Sequence, residues 1–319
     1  MGCKLERIIP FYEIDKKIVN HLFYLFDRNL VVESITPLLE GCRNTNYVVH
    51  IKNSDSVFLL RIFPINDESW KKEKKLLTVL KNEVPVQKLY FLSQDESIEL
   101  RTFAIYEFAQ GITLQSAINS GYVLEDNLIR DIGKTLASIH NHTYTNTKVG
   151  FLDDNLEVKS FLPPLETWYE MFLGENARDR LGAETVKNIE KLILANKENL
   201  EQMDKQVSLV HGDFRPTNIL VHNGKLSCIL DWEFAMAGHP ISDIGQFFRE
   251  EQYLNKNLIA IFEKSYSEVS KIKLSKNWYK LGKLRDLVNL IQMINGENNL
   301  LEKYKNFEKL IVSTLQNCY

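Results

Sequence analysis

Asp213, Asn218 and Asp231 have the residue types and the spacing best suited to chemistry in this chain. They stand in His211-Gly212-Asp213-Phe214-Arg215-Pro216-Thr217-Asn218 and in Ile229-Leu230-Asp231-Trp232-Glu233. A carboxylate at 213 can take the proton of an attacking hydroxyl. The side-chain oxygens of Asn218 and Asp231 suit a hard cation such as Mg²⁺. Arg215, two residues past the base, is placed to steady a transferred phosphoryl group, and the fixed φ of Pro216 stiffens the path to Asn218. Between the two motifs lies Asn223-Gly224, flanked by two short runs that fold back as a hairpin with a two-residue turn. In that register 222 faces 225, 220 faces 227 and 218 faces 229. Asp231 then lies diagonal to Asn218 on one face, roughly 7–8 Å away at the backbone.

Moving a phosphoryl group demands positioning and neutralisation of charge more than covalent chemistry. The first third of the chain offers parts for that task. Arg61 falls in a strand and Glu73 in the helix after it, a cation that can reach phosphates and a carboxylate that can orient it. Gly41-Cys42-Arg43-Asn44-Thr45-Asn46 forms a polar loop whose backbone N–H groups can approach phosphates.

These residues need two kinds of scaffold. An amphipathic helix spans residues 14–26, followed by strands at 35–39, 47–51 and 57–63, a helix at 70–80, and strands at 86–92 and 101–108. This is a small lobe of five antiparallel strands, residues 1–108. From residue 109 to 319 the period becomes helical, at 114–118, 124–142, 165–172, 185–200 and nearly everything after 244. The hairpin is the one clear β element of this larger lobe. The lysines from 264 to 283 read as a solvated helical face. The fold class is α+β, with two lobes sharing a cleft.

The totals narrow the function. A chain of 319 residues exceeds the usual single-domain size. A formal net charge of −3 and a pI near 6.2 lack the basic excess of nucleic-acid binders. Cys3, Cys42, Cys228 and Cys318 show no C-x-x-C pair and suit free thiols in a reducing compartment. No run approaches the ~18 apolar residues of a membrane span, and Glu6 stands where a myristoylation motif after Met1-Gly2 wants Ser or Thr. The expectation is a cytoplasmic protein, monomer or weak dimer, with no nucleic-acid or membrane partner.

The motifs at 211–218 and 231, with Arg61, Glu73 and the stretch Ile105-Tyr106-Glu107-Phe108, resemble the aminoglycoside phosphotransferase and choline kinase superfamily over nearly the whole chain. The resemblance implies a bilobal protein-kinase-like fold. It implies ATP or GTP as donor, Mg²⁺ at Asn218 and Asp231, and Asp213 as base. The linker Tyr106, Glu107 and Phe108 would bind the purine through its main chain, and Asn44, Arg61 and Glu73 would serve the nucleotide. His211 and Asp243 would support the catalytic loop. Arg61 departs from the lysine of many members, and its planar fork binds phosphate differently. His239 stands where many relatives carry an acid.

The implied activity is transfer of a γ-phosphate to a hydroxyl of a small molecule. Only residues 232–242 separate Asp231 from Asp243, which leaves no room for the activation segment of a protein kinase. Asp153, Asp154, Glu157, Glu166, Glu170 and Glu175 suit a polycationic, aminoglycoside-type acceptor. Trp168, Tyr169 and Trp278 are chiefly core candidates but could cage a choline-like cation. Homoserine, methylthioribose and macrolides are further acceptors, and a nucleotide-binding pseudokinase is the non-enzymatic alternative.

Overall fold

The computed structural model describes residues 7, 9–39, 43–203, 205–250, 253–296 and 301–318. Met1, Gly2, Cys3, Glu6, Gly41, Cys42 and the side chain of Glu166 lie outside the described residues. Two compact units divide the chain, residues 1–110 and 111–319.

The first unit opens with α1 (Lys16–Phe26), whose N-terminus is closed by Asp15 accepting from the Ile18 N–H. The strands are β1 (Val32–Leu38), β2 (Thr45–Ile51) and β3 (Val57–Ile62). Helix α2 (Ser69–Leu80) follows, then β4 (Leu89–Asp95) and β5 (Arg101–Glu107). All pair antiparallel in the order β1-β2-β3-β5-β4. Pro37 sits in edge strand β1, the place in a sheet where proline is tolerated. One face is sealed by Val19, Leu22 and Phe23 of α1 against Val49, Leu60, Phe103 and Ile105. The fourth strand begins three residues later than its apolar run implies. Its ladder starts at Leu89 opposite Tyr106 and runs through the polar Ser93 and Gln94, because pairing with β5 defines this edge strand more than apolarity does.

The second unit holds more sheet than its sequence texture implies. Its elements run β6 (Ile112–Thr113), α3 (Leu114–Asn119), α4 (Asp126–His140), β7 (Thr143–Tyr144), β8 (Gly150–Leu152), β9 (Val158–Phe161) and α5 (Leu165–Phe172). Next come α6 (Glu175–Ala195), α7 (Lys197–Met203), β10 (Val207–Val210), β11 (Ile219–His222), β12 (Lys225–Ile229) and β13 (Met236–Gly238). The chain closes with α8 (Ile241–Phe247), α9 (Lys256–Val269), α10 (Trp278–Ile294) and α11 (Leu301–Cys318). The hairpin gains β6 as a third strand, and β7-β10-β13-β8-β9 form a further sheet. Strands of two to five residues carry too little alternation to stand out in sequence. The periodic run at 185–200 is split by Asn196 between α6 and α7.

Helix α8, which carries Asp243, is wedged against α10, while α4 lies on α9. Lys283 is no part of a solvated face. It is buried in α10 and donates to the carbonyls of Phe248 and Arg249 at 2.8 and 3.1 Å, satisfying the C-terminal end of α8. Arg249 in turn forks onto Asp286 at 2.7 and 2.6 Å. Tyr169 and Trp278 are core residues: Tyr169 donates to the Leu284 carbonyl, and Trp278 packs among Phe248, Phe262 and Tyr279. Neither is open to cage a ligand. Cys228 and Cys318 are buried free thiols. Among the described residues, no helix is long and apolar enough to cross a membrane.

Candidate active site

Strand β10 delivers the chain into the 211–218 loop, and the loop is held by side chains instead of by a ladder. Asp243, fully buried, accepts from the His211 N–H at 2.7 Å and the Gly212 N–H at 2.9 Å. Gln246, one turn on in α8, accepts from the Phe214 N–H at 2.8 Å and donates to the Gly212 carbonyl at 2.8 Å. His140, at the end of α4, donates from Nε2 to Asp243 at 3.1 Å and bonds Tyr266 through Nδ1 at 2.8 Å. The expected support from His211 and Asp243 therefore acquires two partners, Gln246 and His140. Their signal was slight: Gln246 lies three residues from Asp243, on the same helix face, and His140 is far away in sequence.

His211 is fully buried against Trp232, donating from Nε2 to the Leu230 carbonyl at 2.8 Å and accepting the Asp213 N–H at Nδ1. Gly212 has φ +81, and a Cβ there would collide with the backbone of Phe234. Glycine is needed on both counts.

Asp213 is the centre of the loop. Arg215 grips it side-on, Nε to Oδ1 at 2.5 Å and Nη2 to Oδ2 at 2.8 Å. Asn218 Nδ2 adds a bond to Oδ2 at 2.8 Å and one to the Asp213 carbonyl at 2.9 Å. Burial works to raise the Asp213 pKa, but the bonds and charge of Arg215, helped by Asn218, outweigh it and hold the carboxyl below its ordinary value. The group stays an ionised acceptor.

The hairpin turn forms at Asn223-Gly224, with φ 50 and 73 as a type I′ turn requires. The register beyond it differs from the expectation. His222 pairs with Lys225 and Val221 with Leu226, but a bulge shifts the ladder so that Leu220 faces Cys228 and Ile219 faces Ile229. Asn218, in a short 3₁₀ turn, therefore stands opposite Leu230, whose N–H donates to its carbonyl at 2.8 Å. Asp231 follows immediately instead of lying two residues along the same face. The extra residue at 227 is the cause.

Asp231 itself is left-handed, φ 64 and ψ 68, and its carboxylate makes no hydrogen bond or ion pair with the described residues. Such backbone costs about 1–3 kcal/mol and concentrates at functional sites. Asn218 spends both bonds of its Nδ2 on Asp213, which leaves the amide oxygen, the metal-competent atom, outside them. One free carboxylate and one amide oxygen fit Mg²⁺, which takes few protein ligands and fills its octahedron with water and phosphate oxygens. Among the described residues no group of three or more His, Cys, Asp or Glu could cage a metal.

The first unit carries its own polar cluster. Arg61 donates to both oxygens of Glu73 at 2.9 and 3.1 Å and to Asn46 Oδ1 at 3.1 Å. Asn46 is the direct cross-strand partner of Arg61. Tyr106 completes the cluster, its ring 5.3 Å from the guanidinium and its hydroxyl donating to Glu73 at 3.2 Å. Burial, then the Glu73 charge, push the phenol well above its ordinary pKa, so it remains a donor. Tyr106 thus points into this cluster. Glu107 is exposed, its N–H and carbonyl bonded to Lys88 and Gln87, and Phe108 follows the end of β5. Asn44 accepts from Arg7 through its carbonyl at 2.7 Å, and its side-chain oxygen is buried with no hydrogen-bond partner among the described residues.

The profile of the phosphotransferase enzyme family matches residues 34–267, and the chain belongs to that family. Among curated proteins it is similar to acyl-CoA dehydrogenase family member 11. The human protein is 23% identical over 246 residues, covering 76% of this chain and 29% of that protein. The Pongo abelii protein is 26% identical over 186 residues, covering 57% and 22%. The chain therefore spans between about a fifth and three-tenths of the length of these relatives.

Among solved structures, aminoglycoside phosphotransferase APH(4)-Ia is 17% identical with a TM-score of 0.66, covering 95% of this chain and 98% of that one. A thermostable mutant of it, 16% identical with a TM-score of 0.65 and coverage of 93% and 97%, is a ternary complex with AMP-PNP and hygromycin B. Choline kinase LicA from Streptococcus pneumoniae is 18% identical with a TM-score of 0.60, covering 95% and 99%. At these identities the likeness establishes the protein-kinase-like fold.

Proposed function

We propose that the chain transfers the γ-phosphoryl group of ATP or GTP to a hydroxyl of a small molecule, with Asp213 as the base. The observation that carries this reading is the loop itself: an ionised, partly exposed carboxylate fixed beside an amide oxygen and a strained Asp231 whose carboxylate has no partner among the described residues. Arg61, oriented by Glu73, contacts the donor's phosphates. The main chain at 106–108 receives the purine, with Asn44 beside the phosphates. Asn218 and Asp231 would hold Mg²⁺, which would supply neutralisation of phosphate charge; Asp213 orients the acceptor hydroxyl and takes its proton.

For the acceptor we favour an aminoglycoside-type polycation. Support comes from the acids Asp153, Asp154 and Glu157 in the β8–β9 turn, exposed Glu170 and Glu175, and the antibiotic named with the similar structure. A choline-like acceptor loses the aromatic cage, since Tyr169 and Trp278 are core residues.

The direct experiment is an ADP- and GDP-release screen over aminoglycosides, macrolides, choline, homoserine and sugar alcohols. Turnover with one class identifies the acceptor. Tight nucleotide binding with no turnover on the whole panel would favour a nucleotide-binding pseudokinase. Asp213→Ala is expected to lower kcat about 10²–10⁴-fold, the usual worth of a general base, with nucleotide affinity retained; full turnover in that variant would sink the base assignment.

A further inference from the structure

The fork between Arg215 and Asp213 says more than that the base is ionised, granted the reading of Asp213 as base. An ionised carboxylate offers about four acceptor positions, two on each oxygen. Arg215 Nε occupies one on Oδ1, while Arg215 Nη2 and Asn218 Nδ2 occupy both on Oδ2. Among the described residues these are its partners, which leaves a single position, on Oδ1. A carboxylate torsion is soft on its own, but two parallel bonds from a planar guanidinium fix its plane. Arg215 spends two of its five N–H donors on this fork, which makes it the group that orients the carboxylate. The fork also lies at the solvent boundary, with side-chain exposures of 34% for Arg215 and 18% for Asp213, so an incoming hydroxyl has access to it.

We propose that Arg215 is the positioning residue of the base, and that the acceptor hydroxyl docks on Oδ1 of Asp213 in the one position the fork and Asn218 leave open. In the transfer, the hydroxyl oxygen bonds to the γ-phosphorus and its proton passes to Oδ1. The bond from that phosphorus to the bridging oxygen breaks, and the electron pair leaves with the nucleoside diphosphate. Arg215 holds the carboxylate plane throughout. Lysine cannot replace it, because a single ammonium does not span both oxygens in parallel.

The test compares Arg215→Ala, Arg215→Lys and Asp213→Ala in ADP release from ATP, with the acceptor found in the screen and, without acceptor, in slow hydrolysis by water. For Arg215→Ala we expect kcat to fall about 100-fold, the scale of a misplaced reacting group, with KM for ATP unchanged within about threefold. Millimolar guanidinium ion should restore much of the loss, whereas ammonium and Arg215→Lys should not. Rescue by guanidinium also shows that the variant is folded. A large rise in KM for ATP at preserved kcat would assign Arg215 to the phosphates and overturn the proposal, as would unchanged kinetics or rescue by ammonium. Turnover retained by Asp213→Ala overturns the base reading itself; an inactive Asp213→Ala beside an unaffected Arg215→Ala overturns only the positioning role.

Discussion

Two arginine–carboxylate pairs of the candidate site, Arg61–Glu73 and Arg215–Asp213, are built in different ways. Arg61 and Glu73 hang from regular elements, strand β3 and helix α2, and are closed in by Asn46 from the neighbouring strand and Tyr106 from β5. Regular strand and helix backbone carries both residues, and each oxygen of Glu73 is used. Arg215 and Asp213 belong to one loop, with no ladder to place them. Their position is borrowed from Asp243 and Gln246 through bonds to four backbone groups. A pair on regular elements is placed by secondary structure; a pair on a loop needs a second layer of buried polar residues, and its stability sits there.

The contrast predicts where damage is greatest. Asp243→Ala should be the most harmful change, because it orphans the buried N–H groups of His211 and Gly212 at about 1–3 kcal/mol each and removes the partner of His140. We expect a loss of about 4 kcal/mol in urea unfolding, together with most of the turnover. A loss under about 1 kcal/mol would mean that the loop holds itself. Glu73→Ala should cost less, about 3 kcal/mol, the low end for a broken buried pair, since Arg61 keeps Asn46 and the Tyr106 face although its carboxylate is gone; the measurement is again urea unfolding, with KM for ATP expected to rise. If Glu73→Ala proves the more destabilising, the ranking of ladder-placed over loop-placed pairs is wrong.

The smallest effect near neutrality concerns His239. Its Nδ1 accepts from the Ile241 N–H at the start of α8. Burial above all, with the charge of Arg285, pushes its pKa down to about 3. A histidine depressed in the folded state favours folding fully above about pH 6.5 and loses that contribution as pH falls towards 3, because the unfolded chain binds the proton first. The expected loss is under about 1 kcal/mol at pH 6, growing by up to about 1.4 kcal/mol per unit below that. Unfolding followed from pH 8 to 5 in the native chain and in His239→Gln checks it. The variant should show the shallower slope. His239 therefore supports the helix that carries Asp243 and Gln246, as a neutral cap instead of an acid.

Sequence by itself determined the candidate site residues and most of the first unit. The 211–218 motif, the Asn223-Gly224 turn, the five-stranded order of elements and the Arg61–Glu73 pair all rest on local signals, such as alternation, turn residues and fixed spacings, that survive in one dimension. Tertiary structure alone decided the rest. The bulge beside Leu220 moved Asn218 opposite Leu230, a one-residue slip that no local pattern records. Gln246 reaches the loop from 32 residues away, and His140 braces Asp243 from 103 residues away. Arg215, expected on a phosphoryl group, also closes on Asp213 with two of its N–H donors, a contact visible only in the folded chain. Hydrogen-bond saturation depends on which groups meet in space, and a chain fixes its own bonding partners only once it has folded.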